Sequence, residues 1–194
     1  MKQETKRAVV FLADGVEEME AVIVLDVLRR DRVEALGMAI TDRLDVKGSR
    51  SVGLLADSLW DEALLGSVDL LVVPGGIGSM RTLRADSRVL EQLQRADREG
   101  RRIAAICSGP LVLAAAGLLK GRKATCYPGL EGDLAGVLLS EERVVQDGNI
   151  TTSRGPGTAM EFTVALLREL VGEGVAEEVA RGLLMLHPSR GGVR

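Results

Sequence analysis

The sequence predicts one α/β domain built on a mostly parallel sheet. Short β-branched runs alternate with amphipathic helical stretches along the chain, the pattern of a sheet covered by helices on both faces. The 194 residues suit a single unit that buries roughly 70% of the surface an unfolded chain exposes. No internal repeat, low-complexity tract or linker interrupts them. Residues 1–194 therefore read as one domain, with 186–194 expected as a flexible tail.

The elements follow in order. Residues 7–13 (RAVVFLA) are apolar and β-branched, a buried strand, ended by Asp14 and Gly15. Residues 18–30 place Ile23, Val24, Val27 and Leu28 at helical spacing. A weaker strand is expected over 33–41 and a third candidate over 51–55. Residues 69–73 (DLLVV) form a strong central strand, stopped by Pro74, Gly75 and Gly76. A helix over 87–99 has Gly100 just past its end. Residues 103–106 are the next strand, and 109–119 an apolar helix. Residues 143–152 read as a hairpin, because Asp147-Gly148 suits a type I′ turn. Thr158 and Glu161 have the spacing of a capping box that opens the next helix. A last amphipathic segment runs over about 175–186.

Composition narrows the function. The chain is 46% apolar and 27% charged, as folded soluble proteins are and disordered ones are not. Twenty-five Lys and Arg against 28 Asp and Glu leave a net charge of −3. That is not the basic surface a specific nucleic-acid partner needs, and aromatics at 2% offer little base stacking. Two cysteines cannot build a disulfide framework, and with one histidine they argue against a structural zinc site. No apolar run reaches about 18 residues, so no membrane span is expected. Residues 1–7 lack the apolar stretch of a secretory signal. The expected setting is reducing and cytoplasmic.

Ligands of such sheets sit beyond the carboxyl ends of the strands, so the segments after Ala13, Val73, Ile106 and Thr152 carry the candidate site. Ile106 is followed by Cys107, Ser108, Gly109 and Pro110, then a helix. A sharp strand-to-helix turn projects the side chain at its apex. A thiol at a helix N-terminus is favoured as thiolate, its reactive form. The plainer alternative for Cys107 is a small buried residue filling a gap. Beyond Ala13, Glu17 and Glu18 read as solvated complements of a helix dipole. Glu20 differs, since it shares a face with Val24 and Val27. A carboxyl there is poorly solvated, which raises its pKa and lets it hydrogen-bond a thiolate and exchange a proton with substrate. Pro74, Gly75, Gly76, Ile77 and Gly78 lack the spacing of a P-loop, and the first strand lacks a dinucleotide fingerprint. They form either a plain turn or a cradle of backbone N–H groups for an anion or oxyanion. Ser153, Arg154, Gly155, Pro156 and Gly157 make a rigid loop, either loop plus cap or a pocket wall on which Arg154 attracts anionic groups. His187, near the tail, is expected to be solvated rather than catalytic, and Cys126 to be a core residue.

Residues 11–20 (FLADGVEEME), 73–76 (VPGG), 104–110 (AAICSGP) and 152–158 (TSRGPGT) together resemble the ThiJ/PfpI (DJ-one) superfamily. They are most similar to its parkinsonism-associated deglycase branch and bacterial ThiJ/YajL relatives. The resemblance spans about residues 6–186. It implies a flavodoxin-like (class I glutamine amidotransferase-like) three-layer sandwich, usually a homodimer. It also implies that Cys107 is the reactive, oxidation-sensitive nucleophile and Glu20 its protonated partner. Gly76 and Ser108 then supply oxyanion-holding N–H groups next to Gly75, and Arg30, Arg50 and Arg154 lie near the pocket or the dimer interface.

Two departures matter. The protease branch has His after the cysteine, where this chain has Ser108, which argues against a cysteine peptidase. The animal branch has His where this chain has Tyr127. The implied activity is that of a cofactor-independent glyoxalase or deglycase, giving 2-hydroxy acids from methylglyoxal, glyoxal or their early glycation adducts. The alternative is a redox-sensing, oxidative-stress chaperone that uses the same cysteine.

Overall fold

The structure, a computed structural model, describes residues 5–31 and 33–185. In chain order they form β1 (Lys6–Leu12), α1 (Glu18–Arg29), β2 (Val33–Ala39), β3 (Asp45–Lys47), β4 (Gly53–Leu55), β5 (Ser58–Leu59), α2 (Glu62–Leu65), β6 (Leu70–Val73), α3 (Ile77–Ala85), α4 (Ser87–Arg98), β7 (Arg102–Ile106), α5 (Pro110–Ala115), β8 (Lys123–Ala124), β9 (Leu138–Leu139), β10 (Val144–Asp147), β11 (Ile150–Ser153), α6 (Ala159–Val171) and α7 (Glu173–Gly182). Seven strands make the main sheet, in the order β10-β11-β7-β6-β1-β2-β5. Every neighbouring pair is parallel except the β10–β11 hairpin. This is the flavodoxin-like α/β architecture. The chain winds from β1 outward to β2 and β5, then returns to lay β6 on the other side of β1. The loops leaving β1 and β6 part at that reversal, where ligands of open α/β sheets sit.

Alternation along β1 divides the core. Val9 and Phe11 enter one apolar cluster, and Ala8, Val10 and Leu12 enter the other. All five are at most 1% exposed, as a strand covered on both faces requires. Phe11 stacks on Trp60 with ring centroids 6.0 Å apart. Arg88 lies over the Trp60 ring at 4.9 Å.

Several local expectations are corrected. Ile77–Ala85 forms α3, where only a turn is expected. Its first turn holds Gly78 and Ser79, poor helix formers, and burial of Met80 and Leu83 supplies what propensity lacks. The third candidate strand pairs as β4 with β3 in a separate antiparallel hairpin. In the β10–β11 hairpin Asp147 pairs with Ile150, so Gly148 and Asn149 are the turn residues. Only Gly148 among them has positive φ (62°), which fits a type II′ turn with glycine first and not type I′. Thr158 does not cap α6 with its side chain. Its Oγ1 accepts the Gly155 N–H at 3.1 Å and lies 2.6 Å from Ser153 Oγ, while Glu161 pairs with Arg143. The hydroxyl closes the loop before the helix instead.

Candidate active site

At the end of β7 the chain turns sharply, and Cys107 takes φ 64°. A non-glycine residue there costs about 1–3 kcal/mol, so the surroundings must hold it. The Cys107 N–H donates to the Ser153 carbonyl at 3.0 Å, and its own carbonyl accepts the Tyr127 N–H at 2.9 Å. The Gly109 N–H closes the turn on the Ile106 carbonyl at 2.8 Å. A Cβ on Gly109 would collide with the Val73 carbonyl oxygen, so only glycine lets β6 and the turn lie this close.

Glu20, in the first turn of α1, has no exposed surface. Its Oε2 accepts the Gly75 N–H at 2.7 Å. Its Oε1 is enclosed and has no hydrogen-bond partner. Gly75 threads between acid and thiol. A Cβ on it would lie 2.5 Å from Cys107 Cβ, 2.7 Å from Glu20 Oε2 and 2.9 Å from Cys107 Sγ. Gly76, at φ 94°, presents its N–H to the sulfur, as does Ser108.

Burial pushes the Glu20 carboxyl up to about 7, against hydrogen bonds from Gly75 and Cys107, with the Glu17 charge adding to the rise. Burial also dominates at Cys107. Together with the Glu20 charge and the hydrogen bond to it, burial pushes the thiol up to about 12, opposed by the Ser108 and Gly76 N–H groups. The expected lowering of the thiol by a helix terminus is therefore outweighed by desolvation. The two groups titrate as a pair. Both upward effects of Glu20 on the thiol belong to its carboxylate form. A protonated Glu20 carboxyl would be a donor instead, and a donor beside the sulfur stabilises thiolate.

A cavity of about 660 Å³ opens over Cys107, walled in part by Glu17, Arg50, Gly76, Ser108 and Tyr127. The structure thus brings Cys107, Glu20, Gly75, Gly76, Ser108 and Arg50 together. It does not bring Arg30. That residue ends α1, roughly 15 Å along the axis from Glu20 at 1.5 Å per residue. It pairs with Asp26 at 2.7 Å and lines a separate groove with Leu25, Leu54 and Leu55. Arg154 is half-buried and is not among the residues that line the Cys107 cavity; its charge favours the thiolate of Cys126. Cys126 is a core residue as expected, 2% exposed, and burial pushes its thiol up to about 11. His187 lies outside the described residues.

Glu18 is a further correction. It is buried, not solvated, and accepts hydrogen bonds from Ser49, Arg50 and Val52. Burial alone would raise its carboxyl, but these donors and its own N–H bring it below the ordinary value. Nothing local in the sequence marks this contact, since the two stretches meet only through the fold.

A doubly wound sheet with a strained cysteine at a strand-to-helix turn, facing a buried acid, defines a cysteine-centred protein of the flavodoxin-like class. Residues 6–169 match the model of the DJ-1/PfpI family, and the chain belongs to that family. It is 39% identical over 185 residues to the protein dj-1beta of Drosophila melanogaster, covering 94% of this chain and 99% of that one. It is 41% identical over 186 residues to the Parkinson disease protein 7 homolog of Danio rerio (93% and 97% covered). A Pyrococcus abyssi relative named a deglycase is 34% identical over 153 residues (78% and 91% covered). The chain spans 42% of the length of the Arabidopsis thaliana protein DJ-1 homolog B, to which it is 39% identical over 93% of its own length. The crystal structure of Drosophila DJ-1beta superposes with a TM-score of 0.90, covering 94% of this chain and 100% of that one. Among the described residues no helix is long and apolar enough to cross a membrane.

Proposed function

We propose that the protein is a cysteine-dependent glyoxalase or deglycase. Its substrates would be methylglyoxal, glyoxal or their early adducts, and it would work without a cofactor. The observation that carries this reading is the Cys107 sulfur beside a fully buried Glu20 whose Oε1 has no N–H or O–H donor. Such an acid can hold a proton against thiolate and hand it on.

The thiolate attacks the aldehyde carbon, forming a C–S bond, and the carbonyl electron pair moves to oxygen. The N–H groups of Gly76 and Ser108 hold that oxygen, which takes up a proton to give a hemithioacetal. Glu20, as carboxylate, then removes the proton from the sulfur-bearing carbon and returns it to the neighbouring carbon through an enediol. The result is a thioester. Water attacks the thioester carbon, the C–S bond breaks, and a 2-hydroxy acid leaves, for a net uptake of one water. In a carbinolamine adduct the amine is the group displaced.

Lactate formed from methylglyoxal in amine-free buffer tests this. Cys107→Ala should abolish turnover, and Glu20→Gln should lower kcat about 100-fold or more. Undiminished turnover in Cys107→Ala overturns the reading.

A second reading makes the same sulfur the sensor of a redox-responsive chaperone. The N–H groups at Gly76 and Ser108 that would hold an oxyanion would equally hold the oxygens of a sulfinate. Mild peroxide that adds two oxygens at Cys107 alone, with changed client binding, supports it. Oxidation spread evenly over Cys107 and Cys126 removes it.

The protein would act as a homodimer. The outer face of α1 and the β4 hairpin expose Met19 (58%), Val22 (47%) and Leu55 (73%), a grouping that water disfavours and a second copy would cover.

A further inference from the structure

The cavity over Cys107 is larger than the small aldehydes proposed for it. At about 660 Å³ it falls in the range of about 300–1,000 Å³ that encloses drug-sized ligands. A three-carbon oxoaldehyde on the sulfur leaves most of that space empty. Ile77, Tyr127, Pro128, Leu130 and Pro156 supply an apolar part of the lining. Ile77 is 46% exposed and Tyr127 48%. Two large side chains, one from α3 and one from the stretch after β8, thus stand in water at the cavity that holds the nucleophile. Apolar surface left exposed in a concave site marks ligand contact.

The backbone of Tyr127 is held at both ends. Its N–H donates to the Cys107 carbonyl at 2.9 Å, and its own carbonyl accepts the Leu130 N–H at 3.2 Å. Pro128 and Gly129, the latter at φ 93°, suit the central positions of a type II turn. The Glu131 carboxylate accepts the Gly129 N–H at 2.7 Å. The Tyr127 ring packs on the loop after β11, where a Cβ on Gly155 would lie 3.2 Å from its Cδ2 and 3.6 Å from its Cε2. Pro156, next along that loop, borders the cavity too. The bond that ties Tyr127 to the Cys107 turn also fixes where its ring starts relative to the nucleophile. A surface ordered before its ligand arrives loses little freedom on binding.

We propose that Tyr127 and Ile77 form a second subsite of the Cys107 cavity, one that takes an aromatic ring carried next to the reacting carbonyl, and that the site therefore favours aryl-substituted oxoaldehydes over methylglyoxal. Aromatic rings prefer offset-stacked or edge-to-face contact. The Tyr127 ring offers such a partner, and Ile77 and Pro156 add apolar area beside it. Phenylglyoxal then follows the steps given above. The sulfur bonds to the aldehyde carbon, the proton moves to the neighbouring carbon, water breaks the C–S bond, and mandelate leaves for a net uptake of one water. This deepens the reading above and rests on Cys107 being the reacting atom. The contact acts on any neutral electrophile that carries a ring, so it is measurable without turnover.

The test compares alkylation of Cys107 by iodoacetanilide and by iodoacetamide, with peptide mapping to separate Cys107 from Cys126. Both reagents are neutral and react at the same carbon, and the first adds a phenyl ring on the amide nitrogen. Each rate is divided by that of the same reagent with cysteine in solution, which removes intrinsic reactivity, and the abundance of thiolate cancels in their ratio. The corrected iodoacetanilide-to-iodoacetamide ratio should lie about three- to tenfold above unity in wild type and fall towards unity in Tyr127→Ala. Ile77→Ser, on a different element, should lower it in part. Tyr127→Phe, which keeps the ring, should stay near wild type. A wild-type ratio of unity, with iodoacetamide labelling Cys107, overturns the subsite and leaves the cysteine chemistry standing. A raised ratio that survives both Tyr127→Ala and Ile77→Ser overturns its assignment to these side chains. A fall in Tyr127→Phe as large as that in Tyr127→Ala contradicts a ring contact. If Tyr127→Ala fails to fold, Tyr127→Leu and Ile77→Ser decide the assignment instead. Wild-type Cys107 inert to both reagents would remove the cysteine reading as well.

Discussion

Glu20 keeps its proton at a pH where an exposed carboxyl has lost it, and the cost appears in folding stability. An unfolded chain releases that proton near 4.5, the folded one near 7. Between those values the native state binds more protons than the unfolded state, so stability falls as pH rises. The span corresponds to about 3 kcal/mol. Urea midpoints at pH 5 and pH 8 should show this decline in wild type and lose it in Glu20→Gln. Alkylation of Cys107 reports thiolate with the proton left on Glu20, so its pH midpoint should depend on the acid. Glu20→Leu, which removes the donor to the sulfur, should shift that midpoint upward, and a midpoint that stays put would show that the acid does not support the thiolate. Cys107 and Glu20 were legible in the sequence because each depends on local pattern: a turn after a strand, and a carboxyl on the apolar face of a helix. Glu18 and Arg30 were not. Whether a carboxyl one position from Glu17 is buried, or which end of α1 faces the cavity, depends on the loop that packs there.

At the scale of elements, the turn between β7 and α5 places the nucleophile, and its glycine is the sensitive point. Gly109→Ala drives a Cβ into the Val73 carbonyl, a backbone atom of the sheet that cannot step aside. The expected loss is about 3 kcal/mol, read from the urea midpoint, with much slower Cys107 alkylation at equal folded fraction. A variant as stable and reactive as wild type would mean the turn tolerates another path. Elements with their own period, such as α1 and α4, were readable within a residue or two. Ile77–Ala85 was not, because its helix depends on the apolar partners of Met80 and Leu83 more than on its composition. The β10–β11 turn shows the same limit, since Asp147-Gly148 marks a hairpin but strand register decides which residues occupy the bend.

Across the whole molecule, the site exists because parallel strands deliver β1, β6, β7 and β11 to one edge with their carboxyl ends aligned. Phe11 anchors that arrangement from the fully buried middle of β1. Phe11→Ala should lower stability by about 3–5 kcal/mol, measured by chemical denaturation, and leave the shape of the Cys107 pH profile unchanged in the protein that remains folded. Sedimentation should report a dimer, and Val22→Glu on the outer face of α1 a monomer. A monomeric wild type would remove the homodimer proposal. The alternation of strands and helices made the sheet legible in outline. The strand order was not legible, because nothing in a strand's own residues names its neighbours.

Both peptide groups of Cys107 are tied to distant stretches, its N–H to β11 and its carbonyl to the Tyr127 backbone. The reactive residue therefore sits in a turn that cannot breathe separately from the sheet. Its amide deuterium uptake should be as slow as that of β7 itself and should speed up only under conditions that open the sheet as a unit.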